Sequence, residues 1–439
     1  MKAFPSRYIL YPKVPPERID ADLPGSKSYT NRALLLAALA EGSSTLSNAL
    51  FSDDTERMIE CLRSLGMEVI TDPELSKIVV NGEGRPLRVP EEPLDCGNAG
   101  TAIRFLAPFC ALGPGPSILT GNARMRERPI LDLVEGLRGL GVDAVDVEGT
   151  GCPPIRIEGG GIPGGACKIS GSRSSQYFSA LLLSAARMER GLVIDVEGDL
   201  VSKPYIDMTL DILSKFGIDA ENESYQRLIV QPGQEPKAIE YTVEGDASGA
   251  SYFFAAAAVS GKTVSVGPLP ADTKQGDRDF VLLLERMGCS WKQVGDRIEL
   301  TGAPLRGIEA DLHGMSDTAQ TLAVVALFAE GPTTIRNVAN MRIKETDRIA
   351  ALNAELTKLG ARVEEFEDGL TIHPNPPYKA APIATYDDHR MAMSFAVAGI
   401  RIPGIEILDP RCVAKTFPDF FERFAPWVSI EVPSSKKDS

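Results

Sequence analysis

Six times along this chain a short polar turn gives way to a run of small apolar residues with almost no charge. The runs begin "GSKSYTNRALLLAALA" at Gly25, "GNAGTAIRFLAPFCALG" at Gly97 and "GSRSSQYFSALLLSA" at Gly171. They continue with "GDASGASYFFAAAAVSG" at Gly245, "SDTAQTLAVVALFAEG" at Ser316 and "DDHRMAMSFAVAGI" at Asp387. The turns stand 72, 74, 74, 71 and 71 residues apart, a spacing that chance does not give. Each run is rich in Ala and Leu on every side, which predicts a helix buried all round.

A second marker keeps the same beat: "LRSLGMEV", "LRGLGVDA", "LSKFGIDA", "LERMGCSW" and "LTKLGARV", with "FERFAPWV" as a worn last copy. In "ETDRIAALNAELTKLG", Ile349, Leu352, Leu356 and Leu359 recur at helical spacing. That predicts an amphipathic helix stopped by a glycine in a left-handed cap. Short β-branched runs such as "KIVVNG", "GLVIDVEG", "GKTVSVG" and "GPTTIRNV" fall between the helices and predict strands. Each unit of about 70 residues therefore reads strand, helix, strand, helix, with further short strands. Six such units exceed one core of ordinary size, so three plus three in two domains is expected. The break falls near "IEYTVEGDASG". Repeats one to three take residues 25–244, and repeats four to six take 245–439 together with residues 1–24.

Composition narrows the class. The chain has 439 residues, 43% hydrophobic and 24% charged, as a soluble globular protein of roughly two to four domains would. The longest apolar part of the first run, "ALLLAALA", is eight residues, where a membrane span needs about 20. The N-terminus lacks the pattern of a secretory signal. Seven scattered cysteines without a CxxC pair, and only three histidines, support neither a disulfide framework nor a zinc site. A cytoplasmic location is expected. The formal charge of -14 argues against nucleic acid as a partner.

Against that acidic background the turns are conspicuously basic. Lys27, Arg32, Arg104, Arg124, Arg128, Arg173, Lys203, Lys344, Arg348, Arg390 and Lys415 lie in or beside turns or at helix starts. Ser, Asp and Asn at such places can be mere N-caps. Guanidinium and ammonium groups near helix N-termini add a place for phosphate and carboxylate. A nucleotide-binding loop is excluded, because "LPGSKS" has Ser26 before Lys27 where GxxxxGK[ST] needs glycine. Three acids lie among the bases. Asp388, followed by His389 and Arg390, reads as an ion-pair partner. Asp317 has no base beside it in sequence and is a candidate general base, and Glu345 stands between Lys344 and Arg348.

The set "LPGSKSYTNRALLLAALA", "GNAGTAIR", "RMRERPI", "GSRSSQ", "GDLVSKPYID", "EGDASGASYF", "RIKETDR", "YDDHRMAM" and "DPRCVAKTFPDFF" resembles the 5-enolpyruvylshikimate-3-phosphate synthase family, from about residue 20 to 425. The resemblance implies the enolpyruvyl transferase fold, an inside-out α/β barrel in two similar domains. Each holds three βαβαββ repeats around a pseudo-threefold axis. It implies transfer of the enolpyruvyl group of phosphoenolpyruvate to the 5-hydroxyl of shikimate 3-phosphate, with no metal and no organic cofactor, and domains that close on their substrates. The partners implied are small anionic substrates, and a monomer is expected.

By the same resemblance Lys27, Ser28, Arg32, Ser174, Ser175, Gln176, Ser202, Tyr205, Asp317, Asn340 and Lys344 would hold shikimate 3-phosphate. Lys27, Asn98, Gly100, Arg124, Gln176, Arg348, Arg390 and Lys415 would hold phosphoenolpyruvate. Asp317 and Glu345 would move protons, with Lys27 beside them. The nearest alternative is the enolpyruvyl transferase that acts on UDP-N-acetylglucosamine. It carries a cysteine where "GNARMRERP" has Ala123. A non-catalytic repeat scaffold would have no reason to load its turns with arginines and carboxylates. Two departures from the family pattern stand out: Phe105 where proline is usual, and Thr30 where serine is common.

Overall fold

The structure is a computed structural model that describes residues 4–82 and 87–433. The chain divides into two compact units. One is Gly25–Glu244; the other joins Met1–Pro24 to Gly245–Ser439. Each has its own hydrophobic core.

In the unit of residues 25–244 the helices run in chain order α1 (Lys27–Leu39), α2 (Asp53–Ser64), α3 (Gly100–Ala111), α4 (Leu131–Gly139), α5 (Ser175–Ser184) and α6 (Pro204–Lys215). The other unit continues with α7 (Ala247–Ser260), α8 (Phe280–Arg286), α9 (Ala319–Ala326), α10 (Arg348–Leu359), α11 (His389–Ala398) and α12 (Phe420–Phe424). The odd-numbered helices are the apolar runs of the sequence. Every residue of α3 is buried, as is every residue of α1 from Tyr29 onward. Within one unit α1, α3 and α5 pack on one another, and within the other α7, α9 and α11 do. Helices apolar all round can bury their whole circumference only in such a central trio.

Outside each trio lie three four-stranded sheets with a common order. In each, the first pair of strands is parallel and the rest are antiparallel, as in Gly165–Ser170, Leu192–Glu197, Arg227–Val230 and Ala220–Glu223. Alternation along a strand fixes which face meets the helices. In Lys77–Asn81, Ile78 and Val80 are fully buried between half-buried neighbours. The first 24 residues supply strands to the second unit. Arg18–Asp22 pairs in parallel with Thr263–Gly267. Arg7–Pro12 lies between Ile405–Leu408 and Val428–Glu431, antiparallel to both. Glu240–Thr242 in turn completes the sheet of the first repeat.

The expected helix stops are present. Gly66, Gly141, Gly217, Gly288 and Gly360 follow five of the outer helices with φ between 83° and 122°, a region that L side chains rarely adopt. The worn sixth copy has Ala425 instead, in ordinary helical conformation, after a helix of five residues. Among the described residues no helix is long and apolar enough to cross a membrane. All seven cysteines are free thiols.

Candidate active site

The polar turns sit at the N-termini of the central helices, where backbone N–H groups lack an intrahelical partner and the helix dipole is positive. A recurring device appears there. A polar side chain at the start of a central helix meets one from the first turn of the outer helix of the same repeat or from the loop that leads into it. Lys27 Nζ bonds Asp54 Oδ2 at 3.0 Å. Arg128 Nη1 donates to the Oδ1 and backbone oxygen of Asn98, both at 3.3 Å. Ser248 donates a hydrogen bond to Asp277. Lys344 Nζ lies 2.5 Å from Asp317 Oδ1.

In the unit of residues 245–439, Asp317 occupies a 3-10 turn, Ser316–Thr318, that leads into α9. Although no base adjoins it in sequence, three cations converge on it. Besides Lys344, Arg348 Nη1 reaches Oδ1 at 3.1 Å and Arg390 Nη2 reaches Oδ2 at 2.8 Å. Arg348, at the first position of α10, is 1% exposed and links the other acids. Its Nη2 bonds Glu345 at 2.8 Å and its Nε bonds Asp388 Oδ2 at 2.7 Å. Lys415 Nζ stands 3.8 Å from Glu345 Oε1. Asp388 is thus an ion-pair partner, but of Arg348 from another repeat. Toward Arg390 it acts as N-cap, its Oδ1 accepting the Arg390 backbone N–H at 2.9 Å. Asn340 is half-buried in the turn Ala339–Ile343, four residues before Lys344.

The charges tune one another. Burial pushes the Asp317 carboxyl up, but Arg390, Lys344 and Arg348 together hold it well below the usual carboxylate range. Burial likewise pulls the Lys344 ammonium down, against the pull of Asp317. Asp277 was missed by sequence reasoning. It is buried, and burial followed by the charge of Asp317 raises it to about 6. A signal existed: "KQGDR" from Lys274 repeats the form of "KETDR" from Lys344 at a spacing of 70 residues.

In the unit of residues 25–244, Arg32 is 1% exposed inside the helix trio. Its hydrogen bonds go to hydroxyls and carbonyls: Thr209 Oγ1 at 2.9 Å, Ser28 O at 3.0 Å, and Ser179 Oγ and Tyr205 O at 3.1 Å. Burial pulls its pKa down to about 10, which still leaves it a cation at neutral pH. The ring of Phe105 lies 5.1 Å from the guanidinium carbon and faces it. Arg32 thereby joins Ser28 to Tyr205. Arg104, outside the expected set, bonds Gln176 Oε1 at 2.7 Å.

Ser174 caps α5 by accepting the Gln176 N–H, and Ser175 opens that helix. Gly100 opens α3 under Arg128, where a Cβ would stand 2.7 Å from a guanidinium nitrogen. Ser202 is buried in a left-handed turn at φ 55°. Arg124 pairs with Glu127 in its own short turn at 2.9 Å.

The sequence and the fold are matched elsewhere. A sequence model of EPSP synthase (3-phosphoshikimate 1-carboxyvinyltransferase) fits residues 16–424. The chain is 47% identical over 406 residues to the 3-phosphoshikimate 1-carboxyvinyltransferase of Sulfurovum sp. (strain NBC37-1), covering 92% of this chain and 95% of that protein. It is 48% identical over 407 residues to the protein of that name from Yersinia pestis bv. Antiqua (strain Angola), with the same coverage. The 2.37 Å structure of EPSP synthase from Acinetobacter baumannii superposes with a TM-score of 0.81 at 26% identity, over 98% of this chain and 100% of that one. Six sheets of one order around two helix trios, basic helix starts and a match along almost the entire length lead to one conclusion: this chain belongs to the EPSP synthase family.

Proposed function

We propose that this protein transfers the enolpyruvyl group of phosphoenolpyruvate to the 5-hydroxyl of shikimate 3-phosphate and releases phosphate. The observation that carries the reading beyond family membership is the carboxylate of Asp317 held among three cations. By themselves those cations make it a weak base. Two polyanionic substrates arriving beside them would offset the positive charge, raise the carboxylate's proton affinity and so switch the base on.

Asp317 would then take the 5-hydroxyl proton as the oxygen adds to C2 of the enolpyruvate, while Glu345 delivers a proton to C3. The tetrahedral adduct loses phosphate as the C3 proton leaves, and the double bond reforms. Lys27, Asn98, Gly100, Arg124, Gln176, Arg348, Arg390 and Lys415 would hold phosphoenolpyruvate and stabilise charge on its phosphate and carboxylate. Lys27, Ser28, Arg32, Ser174, Ser175, Gln176, Ser202, Tyr205, Asn340 and Lys344 would hold shikimate 3-phosphate. Arg32 would act from within the fold, as a buried cation without a carboxylate among its hydrogen-bond partners. We place the protein in the cytoplasm as a monomer.

Phosphate release from phosphoenolpyruvate tests the reading. It should require shikimate 3-phosphate. Release with UDP-N-acetylglucosamine instead, or no release with either acceptor, would overturn it.

A further inference from the structure

The segment that carries Asp388 and Arg390 begins with two consecutive non-glycine residues in the left-handed region, Tyr386 at φ 56° and Asp387 at φ 53°. Side chains there crowd the backbone, so such a pair persists only where its surroundings hold it. The holder is Glu355 on α10. Its carboxylate is fully buried on the face of that helix that also carries Arg348, seven residues earlier and two turns away. Oε1 accepts the Tyr386 hydroxyl at 2.6 Å, and Oε2 accepts the Ala384 N–H at 3.2 Å. Lys358 donates to both oxygens at 2.7–2.8 Å.

The far end of the segment is gripped by Arg348 through Asp388. Between the two grips the Asp388 N–H bonds Thr385 O at 2.9 Å, and Thr385 Oγ1 bonds Leu408 O at 3.0 Å. One helix face therefore clasps the segment at both ends, and Arg390 emerges from it to reach Asp317. A neutralising partner for Lys358 alone would not explain Glu355. That lysine is 42% exposed and could be solvated, whereas a buried carboxylate is costly unless its bonds serve some end. Burial, and then the Glu355 carboxylate, raise the Tyr386 hydroxyl to about 12, so it remains a donor at any working pH.

We propose that Glu355 and Tyr386 are positioning residues for Arg390: their hydrogen bond holds the left-handed pair that aims Arg390 at the phosphoenolpyruvate anion. The proposal rests on the assignment of Arg390 to that substrate. Tyr386→Phe keeps the ring and deletes the donor, and Glu355→Gln halves the acceptors. Each should raise KM for phosphoenolpyruvate about tenfold, in line with what a sub-ångström misplacement costs. KM for shikimate 3-phosphate should stay within about twofold and Tm within roughly 4 °C.

A fall in Tm with both KM values unchanged would mean a merely structural bond and would overturn the proposal. An equal rise in both KM values would overturn it too. A wild-type protein without turnover would sink the functional reading instead. Amide exchange then decides the clamp by itself: the Asp388 and Arg390 amides should exchange about tenfold faster in Tyr386→Phe, and unchanged exchange would refute it.

Discussion

Two aspartates beside each other in space respond to pH with opposite signs. Asp317 is held well below the usual carboxylate range by three cations that outweigh its burial. A depressed acid contributes stability that is full above its unfolded pKa of about 3.9 and is lost as pH falls through the folded value. The cluster should therefore withstand mild acid. Asp317→Asn should cut turnover about 10²–10⁴-fold while calorimetric affinity for shikimate 3-phosphate stays within about tenfold. Turnover within tenfold of wild type would take Asp317 off the proton path. Asp277 is raised to about 6 by burial and by Asp317. Between about 3.9 and 6 the native state holds the extra proton, so this group's contribution to stability is lost as pH rises through that window. Asp277→Asn resembles the protonated form. By denaturant unfolding it should equal wild type near pH 4 and exceed it by roughly 1–3 kcal/mol at pH 7; a pH-independent difference would contradict the assignment. Chain order hid these relations. The cations around Asp317 lie 27, 31 and 73 residues further on. Asp277 in turn stands 40 residues before Asp317.

At the level of helices and strands much more was legible, because a repeat prints its constraints several times. Left-handed glycines marked five helix ends. Uniform apolarity marked the central helices, since any charge beyond the first turn would be buried. Arg32 breaks that rule within α1, and sequence could not reveal how it is accommodated: Thr209 and Ser179 come from α6 and α5, and Phe105 from α3. Phe105 stands where the family pattern has proline, and its ring supplies a π face to a cation whose hydrogen bonds all go to neutral atoms. Arg32→Met and Phe105→Leu should therefore be coupled. A double-mutant cycle in denaturant should return about 0.5–2 kcal/mol of interaction. Strict additivity would mean that the ring only fills space.

Taken whole, the described residues form two hydrophobic clusters, each confined to one unit. Heating should not follow a two-state course. Calorimetry should give a van't Hoff enthalpy below the calorimetric one. Phe253→Ala, in the ring cluster with Phe417, Phe420, Phe424 and Trp427, should cost about 3–5 kcal/mol. It should lower the transition of its own unit and leave the other in place; a uniform shift of a single peak would argue for one cooperative block. The route of the chain has a further consequence, on the ribosome. The strand Arg7–Pro12 is made long before its partners Ile405–Leu408 and Val428–Glu431. At ordinary translation speeds it waits roughly 20–80 s with both edges unpaired while a complete unit is synthesised behind it. An unpaired strand edge is a template for other chains. Nascent copies of this protein should thus be most vulnerable to aggregation at Arg7–Pro12, and the emergence of Ile405–Leu408 and Val428–Glu431 from the exit tunnel should end that vulnerability.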